Sequence, residues 1–134
     1  MERQLKTLSE GKAKLISLTC TNTNYWQFVF EDKIAFSTFC FWRLLKANKP
    51  FYISIDHKEK FGLKKPLDLV YELNILLKNI SLIQIKRDVN SGDSFFIFEE
   101  NIKIEFYTSS MGYENWSLYI DKRQYVCLGG GEIA

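Results

Sequence analysis

The stretch Phe28-Val-Phe-Glu-Asp-Lys-Ile-Ala-Phe-Ser37 occurs a second time, as Phe96-Ile-Phe-Glu-Glu-Asn-Ile-Lys-Ile-Glu105. Each residue is matched by one 68 positions later, with no gap, an offset of about half the chain. Both copies place apolar residues at alternate positions on either side of an acidic turn, the pattern of a β-hairpin with one buried face. The repeat therefore predicts a chain built by internal duplication from two β-rich halves, about 12–65 and 80–134. Nothing recurs at the shorter periods of solenoids, so a duplication is expected and not an array.

Working outward, the alternation continues. Ala13 to Thr21 suits a strand, and Tyr25 to Phe30 is an aromatic strand with Trp26, Phe28 and Phe30 on one face. After the Glu31–Lys33 turn, Ile34 to Trp42 is expected to return as a strand. Arg43 to Lys49 is expected to loop or make one helical turn, and Phe51 to Asp56 to form a short strand. In the second half, Leu82–Asp88, Ser94–Phe98, Ile102–Tyr107, Glu114–Ile120 and Gln124–Leu128 all fit strands separated by turn residues. Met1 to Leu8 has weak helical character. One helix stands out at about 66–79: Pro66 suits a first helical position, and Leu69, Val70, Leu73, Leu76, Leu77 and Ile80 form an apolar stripe. The expected fold is α+β in a single domain over residues 1–134, mainly antiparallel β. Two related β-meanders form a sandwich or a barrel, with the helix against it.

Composition narrows the function classes. The 134 residues are 46% hydrophobic and 25% charged, so the chain is long and apolar enough for a core without disulfide or metal staples. With 18 basic and 16 acidic residues, the net charge of +2 leaves no footprint for nucleic acid or an anionic membrane. No run approaches the ~18 apolar residues of a membrane span, and no secretory signal is visible, so a cytoplasmic protein is expected. Three scattered cysteines, Cys20, Cys40 and Cys127, without a CxxC spacing, fit reduced thiols.

Chemistry-bearing motifs are sparse. Glu31, Asp32, Glu99 and Glu100 sit at turn apices, where carboxylates are normally solvated. The lone His57 in a lysine-rich stretch has no partner motif and reads as an exposed loop residue. One histidine and three dispersed cysteines have no zinc spacing, so no metal and no cofactor are expected. Lys58, Lys60, Lys64 and Lys65 lack the stacking aromatics of a nucleic-acid groove. Gly129-Gly-Gly131 is followed only by Glu132, Ile133 and Ala134, which excludes a phosphate loop running into a helix and favours a close backbone approach. Trp116 is inward on the strand pattern, whereas Tyr113 and Glu114 open that strand and suit display at a rim. Glu114 is also placed to bond the Gly129–Gly131 amides.

The segment Gly112-Tyr-Glu-Asn-Trp-Ser117, with Val126-Cys-Leu-Gly-Gly-Gly-Glu132 after the next turn, resembles the ending of a group of small bacterial proteins of unknown function. Gly92-Asp-Ser-Phe-Phe-Ile-Phe-Glu-Glu-Asn101 resembles the same group. The likeness covers about the last 45 residues. It implies a bacterial source, in keeping with a composition rich in Lys, Ile, Asn and Phe. Such proteins are similar in size and composition to the immunity proteins that neutralise toxins. With no catalytic, metal or nucleotide motif, a non-enzymatic protein that binds another protein is expected, and the resemblance implies a toxin domain as that partner. The residues themselves mark Tyr113, Glu114, Trp116, Gly129, Gly130 and Gly131 as partner-binding or structural candidates. The alternative expectation is a module that binds a small molecule inside the barrel or sandwich.

Overall fold

Trp26, Phe28 and Phe30 bury their side chains while Gln27 and Val29 face outward, and this alternation organises the sheet. The computed structural model describes residues 3–134. It contains β1 (Leu5–Cys20), β2 (Trp26–Phe30), β3 (Ile34–Thr38), β4 (Phe41–Lys46), β5 (Lys49–Ile53), α1 (Leu69–Leu76), β6 (Ser81–Asp88), β7 (Ser94–Phe98), β8 (Ile102–Tyr107), β9 (Trp116–Ile120) and β10 (Arg123–Cys127). Short 3-10 turns cover Ser54–Asp56 and Gly129–Gly131. The ten strands form one antiparallel sheet in the order β10-β9-β3-β2-β1-β6-β7-β8-β4-β5. Its ends, β10 and β5, are not neighbours, so the sheet is open and, of the sandwich and the barrel, the closed barrel is not formed.

β1 is the spine of this arrangement. Its residues Leu5–Lys14 pair with β6, and Leu15–Cys20 pair with β2. Between Glu10 and Ala13 the β1–β6 register shifts around Gly11, whose φ of +131° is open to glycine and rare for other residues. The β2–β3 hairpin consequently faces the β7–β8 hairpin across a core of rings. Phe36 lies 4.7 Å from Phe96 and 4.6 Å from Phe106 between ring centroids, and Phe28 lies 5.4 Å from Phe106. Such tilted and edge-on aromatic pairs add to the burial of their area.

Four hairpins turn on two consecutive residues with positive φ: Asp32–Lys33, Ala47–Asn48, Glu100–Asn101 and Asp121–Lys122. This handedness matches the twist of paired strands. The acidic residues before two of these turns do more than face water. The Glu31 carboxylate accepts the Lys14 N–H at 2.7 Å, and its own N–H donates to the Lys14 carbonyl. Glu99 forms the same pair of bonds with Ser81.

Several local expectations change. Leu5–Leu8 belongs to β1 and is not helical, whereas Met1 and Glu2 lie outside the described residues. The strand expected over 34–42 stops at Thr38 and restarts at Phe41, and Arg43–Lys46 continues it as β4. Phe39 and Cys40 carry no paired turn residues, so the chain rounds a corner there instead of folding back. As a result neither half is a self-contained meander: β4 pairs with β8, and β9 pairs with β3.

The helix is shorter than 66–79. Leu67 exchanges backbone hydrogen bonds with Lys58 and Glu59, which holds the chain extended, and Asp68 then caps the helix by accepting the Tyr71 N–H. The helix covers the free edge of β1, where Asn74 both accepts the Leu18 N–H and donates to the Leu18 carbonyl. His57 is a second cap and not an exposed loop residue. Its Nδ1 accepts the Leu69 N–H at 3.1 Å, and its ring packs 5.0 Å from that of Trp26.

Phe36→Ala is expected to cost about 3–5 kcal/mol in denaturant unfolding, the usual range for emptying a fully buried aromatic site. A loss near 1 kcal/mol would mean that the ring contacts across the two hairpins do not hold the core. A second expectation concerns pH. Burial, helped by Lys58 and opposed by Asp68, lowers the His57 pKa below its ordinary 6.5. The unfolded imidazole then takes up its proton at higher pH than the folded one. Stability is full above pH 6.5 and falls as pH drops through that value towards the folded pKa. Denaturation midpoints measured from pH 7.5 to about pH 5.5 should show this decline, and His57→Gln should flatten it. An equally steep variant profile would show that another group is responsible.

Candidate functional site at the chain crossing

The two connections that carry the chain between the two ends of the sheet, from β3 to β4 and from β8 to β9, run side by side. One is the corner Phe39–Cys40 after β3, and the other is the longer loop 108–115 after β8. Thr38 ties them together: its hydroxyl donates to the Asn115 carbonyl at 2.8 Å and accepts the Cys40 N–H at 2.8 Å. Phe41 N–H donates to the Ser109 hydroxyl on the same seam.

Asn115 is the hub of the loop. The residue is only 2% exposed, and its side chain uses both ends. Oδ1 accepts the N–H groups of Ser109 and Ser110, and Nδ2 donates to the carbonyls of Ser110 and Leu128. The expected bond from Glu114 to the glycine turn is therefore replaced by one from its neighbour. Glu114 itself is exposed.

The glycines belong to the support behind the loop. A Cβ on Gly129 would lie 2.0 Å from the Met111 carbonyl oxygen, and one on Gly131 would lie 2.2 Å from that of Ser91. The turn is thus pressed between two loops at a distance that only glycine permits. Trp116 is buried and donates from Nε1 to the Gly92 carbonyl at 2.9 Å. Trp116 and Gly131 are buried scaffold, while Gly130 sits on the surface. The remaining tail pairs with β10 through Cys127 and Ile133, which covers that edge of the sheet.

Over this support lies a cleft of about 570 Å³. Its walls are Phe39, Tyr113 and Glu114, with Ser109 and Ser110 along one side and Cys40 and Asn115 in the floor. A smaller hollow of about 130 Å³ shares Phe39, Glu114 and Asn115 and extends to Tyr25. The rims are apolar and wet: Phe39 is 59% exposed and Tyr113 is 80% exposed. Of the site residues expected from the sequence, Tyr113 and Glu114 line the cleft. Phe39, Ser109 and Ser110 carry no motif that singles them out, and Asn115 lies within the Gly112–Ser117 segment but is not itself among the expected site residues. They begin or fill the segments where the two repeats cease to match, which is the one signal in the sequence that points to them.

Burial keeps the thiols beside the cleft protonated. Burial raises the pKa of the Cys40 thiol, and it pushes that of Cys127 up to about 12. Neither sulfur is a thiolate near neutral pH, and Cys40 Sγ lies 3.1 Å from the Asn115 carbonyl as a donor. The perturbed carboxylates lie elsewhere and are engaged in ion pairs. Burial opposes ionisation of Glu105, but hydrogen bonds from Tyr107 and Arg43 and the charge of Lys103 hold its pKa below the usual value. Asp88 is held low, against burial, by the N–H groups of Asn90 and Ser91 and by Arg3. Among the described residues, no three of the His, Cys, Asp and Glu side chains form a group suited to a metal ion, and no helix is long and apolar enough to cross a membrane.

Comparison with protein-family models, curated proteins and solved structures gave no match to this chain. The functional reading therefore rests on the geometry of the cleft.

Asn115→Ala is expected to destabilise the protein by about 2–4 kcal/mol, because it strands buried N–H and carbonyl groups in both the loop and the glycine turn. Hydrogen exchange should accelerate at residues 109–115 and 128–131 before it does in β7 or β8. Uniform acceleration would show that Asn115 does not organise this region locally.

Proposed function

We propose that this chain is a non-enzymatic protein-binding module that holds its partner at the crossover cleft. The observation that carries the reading is the exposure of Phe39 and Tyr113 on a rigid, hydrogen-bonded platform. Aromatic side chains displayed on ordered backbone are the usual anchors of interface cores. The last 45 residues resemble small bacterial proteins of unknown function that are similar in size and composition to immunity proteins, which supports a more specific version in which the partner is a toxin domain met in the cytoplasm. The proposed ancestry is a duplication. Its support is that β2 and β7 begin 68 residues apart, as do β3 and β8, and that Glu31 and Glu99 make the same pair of backbone bonds. In this reading the repeated hairpins are scaffold and the unmatched crossings have taken on the binding role.

A small-molecule reading is favoured by one observation. The cleft volume falls in the range of ligand sites, about 300–1,000 Å³, with mainly apolar walls and a few polar groups. The ligand would lie in this surface cleft, since the space between the facing hairpins is filled by Phe28, Phe36, Phe96 and Phe106.

Capture of a stoichiometric polypeptide by the full chain should be lost in the Phe39→Ser, Tyr113→Ser double variant, with the denaturation midpoint unchanged. For a toxin partner, the wild-type chain alone should relieve growth arrest on co-expression. Equal capture by wild type and variant would overturn this site. A low-molecular-weight ligand that raises the Tm, with no polypeptide retained, would favour the second reading.

A further inference from the structure

The cleft carries a carboxylate, Glu114, that forms no ion pair among the described residues. Glu114 lines both the main cleft and the adjoining hollow, and it is the only charged side chain to do so among the described residues lining them. The hydroxyls of Ser109 and Ser110 are already engaged by the N–H groups of Phe41, Gly112 and Tyr113. Around Glu114 stand the rings of Phe39 and Tyr113, with Tyr25 packed against Phe39 at 4.4 Å between centroids.

The protein completes this kind of arrangement elsewhere with its own residues. On the β4–β8 pair, the Arg43 guanidinium lies 5.7 Å from the Tyr107 ring centroid and donates to the Glu105 carboxylate at 2.8 Å. Arg3 and Lys46 sit over Phe95 and Phe51. An aromatic face attracts a cation through its quadrupole, and a nearby carboxylate adds direct attraction. At the crossing the aromatic rings and the carboxylate are present, and the cation is not supplied by the lining.

We infer that the crossover cleft receives a cationic side chain, arginine or lysine, projecting from the partner polypeptide. This rests on the protein-binding reading and names the chemistry it uses. The alkyl stem of such a side chain would lie along the apolar walls between Phe39 and Tyr113, leaving the charged head to meet Glu114. A carboxylate-bearing segment would face Glu114 with like charge.

The test titrates isotopically labelled full-length protein with acetyl-Gly-Arg-Gly-amide and with its citrulline counterpart, which has nearly the same shape but no charge. The arginine peptide is expected to shift amide resonances of Phe39 and residues 109–115. Its affinity should exceed that of the citrulline peptide by about five- to tenfold, the scale of one cation–π contact with a screened ion pair. Glu114→Gln should remove most of that difference, as should raised salt. Equal binding of the two peptides, shifts confined to other surfaces, or no shifts with either peptide would each overturn the inference. Partner capture separates it from the broader reading. If Glu114→Gln retains the captured polypeptide at wild-type affinity while the Phe39, Tyr113 double variant loses it, the cleft binds protein without reading a cation.

Discussion

The hydrogen bond from the Thr38 hydroxyl to the Asn115 carbonyl holds the crossing from which the order of the whole sheet follows. Two chain connections pass each other there, and at their buried residues, Cys40 and Asn115, the backbone groups find partners within the protein. With the crossing in place, β3 offers its free edge to β9 and β8 offers its edge to β4. The sheet then gains two strands at each end, drawn from the opposite half of the sequence. Without it, each half would end in an unpaired strand of three and expose the edges that native sheets take care to cover.

The same constraint explains the polarity around the site. Asn115 is buried because it must serve four backbone groups at once, and an apolar residue there would leave them without partners. The glycine turn is pressed against the loop from behind because its backbone supplies the Leu128 carbonyl to Asn115. It can approach so closely only without Cβ atoms. Rigidity of this kind lets exposed aromatic side chains stand on the surface without collapsing onto the core, which lowers the ordering cost of a contact made there. Fixed backbone and displayed apolar groups together are what the proposed binding role draws on.

Much of the fold was legible in the sequence because its signals are local. Alternation at Trp26, Phe28 and Phe30 marked one strand, and the matched hairpin at Phe96 marked its counterpart. The stripe from Leu69 to Leu77 marked the helix, although Leu67 is held extended by Lys58 and Glu59 and so delays its start. His57 gives no local sign of its role, because the helix it caps begins twelve positions later. Glu31 and Glu99 resemble solvated turn residues because the strand residues they bind, Lys14 and Ser81, are distant in sequence. At the site, Tyr113 and Glu114 stand out by chemistry, while Phe39 and Asn115 acquire their roles only from each other's company.

The β-rich class, the two matched hairpins, the single helix and the near-neutral charge are all written in the order of the residues. Each follows from periodicity, turn chemistry or composition within a short window. The exchange of partners by β4 and β9, and the open sheet with its hairpins face to face, arise only when the chain packs in three dimensions. So does the meeting, in one cleft, of the segments where the repeats stop matching. The difference lies in the non-local character of strand pairing. A strand's alternation says which face is buried, but its edge can pair with any strand of compatible register. That choice is made by the packing of Phe36 against Phe96 and Phe106 and by the bonds at the crossing.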